Sequence, residues 1–199
     1  MTKRQQIQDL LSREGVLRAH DLVEYGIAPE YLSMLADEGV VERLARGVYA
    51  SPDYEATEYF DLVIVQKRVP HGVFCLLTAL QFHGLTTQIP GNVYLAIERG
   101  HRSPAIEWPP LEVFRISESQ FDAGIEEHEL ESGPTLRVYS PARTIADCFK
   151  FRNQVGLDIA IEALHDGWNQ KKVTVDDLMK FAEICRVKNV IRPYLQAIV

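Results

Sequence analysis

Four glycines, Gly15, Gly26, Gly39 and Gly47, cut the first fifty residues into pieces that leave room only for short helices and a hairpin. Residues 2–13 read as a helix. Thr2 and Gln5 have capping-box spacing, and Ile7, Leu10 and Leu11 recur at i, i+3 and i+4. Gly15 ends it, and Val16-Leu17 makes a short apolar bridge. Residues 19–25 give a second, shorter helix with Leu22 and Val23 inward, stopped at Gly26. Pro29 stands where a first helical turn tolerates a missing N–H, so a third helix covers residues 29–38. It buries Leu32, Leu35 and Ala36 and closes at Gly39. Two short β-branched runs, residues 40–44 and 48–50, flank Ala45-Arg46-Gly47 and read as a hairpin.

Helix, helix–turn–helix and hairpin, in that order, make a winged helix-turn-helix. In that arrangement two short helices hold a third with one face free for a major groove. That face carries Glu30, Tyr31, Ser33, Met34 and Asp37. The hairpin adds Arg43 and Arg46, and the second helix begins beside Arg18 and His20. The candidate DNA contacts are therefore Arg18, His20, Tyr31, Ser33, Met34, Arg43 and Arg46. Few basic groups mean few neutralised phosphates and modest affinity per subunit, which a homodimer on two half-sites would offset. Glu30, Asp37 and Glu38 keep a second reading open, in which the same module docks on another protein.

The chain of 199 residues is 46% hydrophobic and 25% charged, a globular balance for one medium domain or two small ones. Its net charge of −7 argues against indiscriminate binding to nucleic acid. The deficit sits in residues 51–149, with seven basic against fourteen acidic side chains, while residues 150–199 hold eight against six. No apolar run approaches the ~20 residues that cross a bilayer, and the N-terminus lacks a signal peptide's apolar core. A soluble cytoplasmic protein is expected. Cys75, Cys148 and Cys185 form no CxxC pair, so neither a disulfide framework nor a zinc cluster is indicated.

Ser51-Pro52-Asp53 reads as a boundary between a winged helix-turn-helix at 1–51 and a larger α+β domain at 52–199 that ends in helices. Helices are expected at residues 58–68 and 73–83, the second apolar all round and hence buried. Residues 92–98, 111–116, 125–130 and 136–139 alternate as strands, and 99–110 form a loop with Arg99, His101 and Arg102. Ser140-Pro141 opens a helix, with further helices at 157–170, 175–186 and 190–198. No Gly-Ser turn, Walker loop, GxSxG or HExxH occurs. The chain is read as a non-enzyme without cofactor or metal. His83, at a helix end, is read as a dipole partner. Arg143, on the first turn of its helix, is badly placed for the dipole, so either Asp147 at i+4 or an external anion is its partner.

Three phrases carry a family resemblance: Leu44-Ala45-Arg46-Gly47-Val48-Tyr49, the run from Val69 to Thr87, and the run from Val138 to Lys150. They resemble the AbiEi family, antitoxins of type IV toxin–antitoxin systems. The resemblance implies an N-terminal winged helix that represses its own operon by binding double-stranded DNA at inverted repeats. It also implies a C-terminal domain that counters a nucleotidyltransferase toxin without forming a stable complex. Arg143, Lys150, Lys171, Lys172 and Lys180 are the candidates for that second role, since their charge suits an anionic target.

Overall fold

The computed structural model describes residues 2–131 and 133–198. The chain is mixed α+β and divides into two compact units. The first comprises Met1–His71, Pro104–Pro109 and His128–Leu136, and the second Gly72–Ser103, Pro110–Glu127 and Arg137–Val199.

In the first unit, α1 (Lys3–Glu14) starts on the expected capping box. Gln5 N donates to Thr2 Oγ1, and Thr2 N donates back to Gln5 Oε1 at 2.9 Å. Val16–Arg18 is a strand, β1, where an apolar bridge was expected. It pairs antiparallel with β3 (Val48–Ala50), placing Val16 opposite Ala50 and Arg18 opposite Val48. Three residues are too few to show an alternation, so only the ladder reveals them. Ala19–Tyr25 is a 3₁₀ helix that buries Leu22 and leaves Val23 52% exposed, against the expectation that both face inward. Its three-residue turn carries Val23 roughly 120° round from Leu22.

Next come α2 (Glu30–Asp37), which buries Leu32 and Leu35, and β2 (Glu42–Ala45). The sheet order is β1-β3-β2, with a register shift between Arg43 and Ala45. The segment α3 (Phe60–Arg68) belongs to the same unit. Its Val63 packs with Val16, Val48 and Ala50, and Lys67 pairs with Glu14 at 3.1 Å.

The second unit holds a five-stranded sheet of order β6-β5-β4-β8-β7. Its strands are β4 (Val73–Phe74), β5 (Val93–Glu98), β6 (Leu111–Ile116), β7 (Ile125–His128) and β8 (Leu136–Tyr139). The apolar run expected as one helix over 73–83 is split. Val73 and Phe74 pair with Ala96 and Leu95 on β5, Phe74 also pairs with Val138, and α4 (Leu76–Phe82) starts after Cys75. A run apolar on every side suits a strand covered on both faces as well as it suits a buried helix.

After β6 come α5 (Glu118–Phe121) and the last two strands, then α6 (Pro141–Lys150), α7 (Arg152–Val155), α8 (Leu157–Asn169), α9 (Val175–Ile184) and α10 (Lys188–Ile198). Ser140 caps α6 and Thr174 caps α9, each accepting a backbone N–H three residues on. Residues 142–149 of α6 are all buried, with α4, α8 and α9 packed against the helix. Among the described residues, no helix is long and apolar enough to cross a membrane.

Candidate nucleic-acid interface

The three-stranded sheet brings the wing and the start of the 3₁₀ helix to one end. Arg18 lies opposite Val48, and Ala19 N donates to Gly47 O at 2.8 Å. Arg18 and His20 therefore share that end of the sheet with Arg46, which is distant in sequence. Arg46 and His20 are exposed. Gly47 takes φ +75°, which lets the chain reverse directly after Arg46 and leaves that side chain at the tip. Arg18 is less available: its Nε donates to Asp21 Oδ1 at 3.0 Å while its backbone N donates to Asp21 Oδ2 at 3.1 Å. Asp21 thus tethers the basic group and removes part of its charge from the surface. The sequence carried a signal for this, the spacing of three from Arg18 to Asp21.

Arg43 is exposed and stacks with its Cζ 5.5 Å from the Tyr49 ring centroid, so the strand itself steadies the guanidinium. Ser33 and Arg43 line one shallow groove with Asp37 and Glu42. On α2, Met34 is 42% exposed, whereas Tyr31 is half-buried against the small core of this unit. Glu30, Asp37 and Glu38 are exposed on or beside the same helix, and Glu38 meets Arg4 at 3.4 Å. Positive charge accordingly concentrates on the wing end and negative charge on α2.

The order helix, strand, helix, helix, two-stranded wing, closed by a β1-β3-β2 sheet, is that of a winged helix. Residues 5–52 match the family model described as "Transcriptional regulator, AbiEi antitoxin". The AbiEi match runs from the first turn of α1 past β3 and so coincides with the helices and the wing. The matched family is one of transcriptional regulators and antitoxins, and the match covers the N-terminal region alone. No curated protein matches the chain. Among solved structures, the RV2827C protein from Mycobacterium tuberculosis is similar in fold, at 15% identity and a TM-score of 0.58 over 92% of this chain and 76% of that one.

The basic residues offered for antitoxicity on the strength of their charge have unlike surroundings in the second unit. Arg143 is 0% exposed. Its Nε donates to Asp147 Oδ2 at 2.8 Å, and its Nη1 donates to the carbonyls of Gln120 and Ala123, each at 2.8 Å. The guanidinium also lies 4.5 Å from the Tyr139 ring centroid. Of the two partners the spacing allowed, the structure supplies Asp147. An external anion has no access, because the side chain is fully buried. Burial works to lower the Arg143 pKa, but Asp147, Cys185 and Tyr139 more than offset it, so the net direction is upward and the group stays charged.

Around that pair, Tyr139 Oη donates to Phe121 O at 2.8 Å and Cys185 Sγ donates to Asp147 Oδ1 at 3.2 Å. Cys75, Cys148 and Cys185 are free and buried, and desolvation pushes each thiol upward, so all three are neutral packing groups. Lys150 is half-buried, with Nζ donating to Gln120 Oε1 at 2.9 Å. Arg143 and Lys150 together thus anchor α5 and the turn that follows it, a positioning role that sequence reading missed.

Lys172 Nζ donates to His83 O at the C-terminus of α4, and Gln170 Nε2 donates to Gly84 O at 3.0 Å. His83 itself, read as a dipole partner, has its ring Nε2 2.8 Å from Tyr139 O, so the cation at that helix end is Lys172. Lys171 and Lys180 are exposed, the latter 5.4 Å from the Phe181 ring centroid. Among the described residues, no group of three or more His, Cys, Asp or Glu side chains is placed to hold a metal ion.

Proposed function

We propose that this chain is a DNA-binding autorepressor and the antitoxin of a type IV toxin–antitoxin system, acting in the cytoplasm on its own promoter. In this reading residues 1–51 bind inverted repeats, as a homodimer on two half-sites, and residues 52–199 counter a nucleotidyltransferase toxin without a stable complex. The observation that supports it most is the coincidence of the AbiEi regulator match with a winged helix whose exposed arginines lie on the wing. Arg43 and Arg46 take phosphates, while Tyr31, Ser33 and Met34 on α2 face base edges. Two-fold pairing puts half-sites about one helical turn, or a multiple, apart.

The acidic face of α2 favours one competing reading, a winged helix that contacts protein. Measuring affinity for the chain's own upstream region and for a shuffled duplex, across a salt series, separates the two. Preference for the upstream region supports repression, and equal, weak affinity for both rejects it. A reporter driven by that promoter, with and without the chain, checks repression in cells. Co-expression with the neighbouring reading frame checks rescue.

A further inference from the structure

A further group of basic side chains lies in the second unit, in the turn after β5. Arg99, His101 and Arg102 are exposed there. The turn is held in one shape from β6: Arg115 Nη1 donates to His101 O at 2.7 Å and its Nη2 donates to Ser103 Oγ at 2.8 Å. Two backbone bonds complete the hold, Arg99 N to Ile116 O at 2.7 Å and His101 N to Glu98 O at 3.2 Å. A flexible, merely solvated loop has no such clamp.

The charge balance of this turn is unusual for a chain of net −7. Arg115 donates to a carbonyl and a hydroxyl, both neutral, so its own charge stays uncompensated. In the parallel ladder it lies opposite Ile97, and alternation puts Leu111 and Val113 on its face of β6 and Glu112 on the other. The nearest acid in the turn, Glu98, stands 3.8 Å from His101. Among the described residues neither Arg99 nor Arg102 has a carboxylate partner. The turn thus carries two guanidinium groups, Arg99 and Arg102, without a side-chain partner among the described residues, and a third, Arg115, reaches it from β6. A guanidinium fork matches phosphate oxygens in pairs, and its charge is worth most where counterions are displaced.

We propose that this turn is a second nucleic-acid contact, in which Arg99 and Arg102 grip phosphodiester oxygens and Arg115 positions them. The contact is sequence-independent, since nothing in the turn is built to reach base edges, and it does not depend on the wing.

The test uses the full chain and fluorescence anisotropy with two labelled probes, a random duplex and a random single strand of about 30 nucleotides, over roughly 50–200 mM salt. Arg99→Ala/Arg102→Ala is expected to reduce the slope of log affinity against log salt by about two on at least one probe. Which probe responds says whether duplex or single strand is the natural form. The same reduction is expected when Arg46→Ala is already present, so failure of the wing and failure of the turn are told apart. Arg99→Lys/Arg102→Lys should keep the slope. The proposal is overturned if the wild-type chain binds neither probe, if the alanine pair leaves both slopes unchanged, or if the lysine pair loses as much as the alanine pair. Far-UV circular dichroism of each variant confirms that the fold is intact.

Discussion

Arg46 and Arg143 both stand beside strong turn or cap signals in the sequence, and the structure puts them in opposite environments. Arg46 stands at the tip of a hairpin whose reversal needs only Gly47, and solvent surrounds it. Arg143 is the third residue of a helix whose start needs only Ser140 and Pro141, and protein surrounds it on all sides. Cap and turn chemistry dictates where the backbone bends. It is silent about what will later pack over the bend, and packing decides whether a charge meets a ligand or a neighbour. The buried arginine is held by a carboxylate and two carbonyls, the exposed one by nothing but its strand.

The largest effect should come from breaking the buried pair. Asp147→Ala leaves a charged guanidinium in a dry site and is expected to cost about 3–5 kcal/mol. Urea denaturation with the midpoint converted through the slope measures it. Replacing both partners, Arg143→Met with Asp147→Leu, should recover part of that loss, because no charge is left buried, although the carbonyls of Gln120 and Ala123 lose their donor. A cost below about 1 kcal/mol for Asp147→Ala would mean that water reaches the pair, and the contrast with Arg46 would dissolve.

A smaller loss tests the turn that Arg143 anchors. Gly124 takes φ +83°, and a Cβ there would lie 2.9 Å from Arg143 Cβ and 2.8 Å from Phe181 Cε1. Its carbonyl accepts from Ser140 N at 2.7 Å, so the backbone cannot easily shift away. Gly124→Ala should therefore cost about 1–3 kcal/mol through strain and overpacking together. A near-neutral result by thermal melting would show that the turn after α5 yields, and with it the rigidity ascribed to Arg143.

Smaller again is the separation of two exposed lysines that look alike in sequence. Lys172→Glu places a negative charge at the carbonyl end of α4 and should cost about 0.5–1 kcal/mol. Lys180→Glu has no such partner and should leave the melting temperature unchanged. If antitoxicity uses surface charge, Lys180→Glu reduces rescue at constant stability, a result that Lys172→Glu alone could not interpret.

What the sequence disclosed follows the same division. The capping box of Thr2 and Gln5, the Ser140-Pro141 start and the hairpin about Arg46-Gly47 are local, and each stands where reading the chain puts it. Val16–Arg18 escaped notice because a three-residue strand exists only through its partner, β3. Val73 and Phe74 were read as helix because their apolar surroundings are uniform, and only pairing with β5 and β8 distinguishes a strand there. For Arg143 the spacing offers Asp147 at i+4 beside an external anion, and its burial, which decides between them, depends on helices that pack over α6 only in the folded chain. On the winged helix, Arg43 and Arg46 are legible as exposed, whereas the tie from Arg18 to Asp21 rests on a spacing of three that does not by itself require a bond.

The last effect is one that stability measurements should miss entirely. Arg46 has no carboxylate or carbonyl partner among the described residues, so Arg46→Ala should leave the melting curve of the full chain where it was. On the chain's own upstream DNA, the same variant should weaken binding across all sequences and lower the salt slope by about one, the signature of one phosphate released. Arg18→Ala gives the internal contrast. Its guanidinium already serves Asp21, so removing it frees a carboxylate at the wing end and adds repulsion where Arg46→Ala only subtracts attraction. Arg18→Ala should thus weaken binding at least as much as Arg46→Ala, and restoring neutrality with Asp21→Asn should return part of the loss. Should Arg46→Ala bind with unchanged affinity and slope, the wing tip does not touch DNA, and an exposed arginine on a hairpin would be as silent toward a ligand as the buried one.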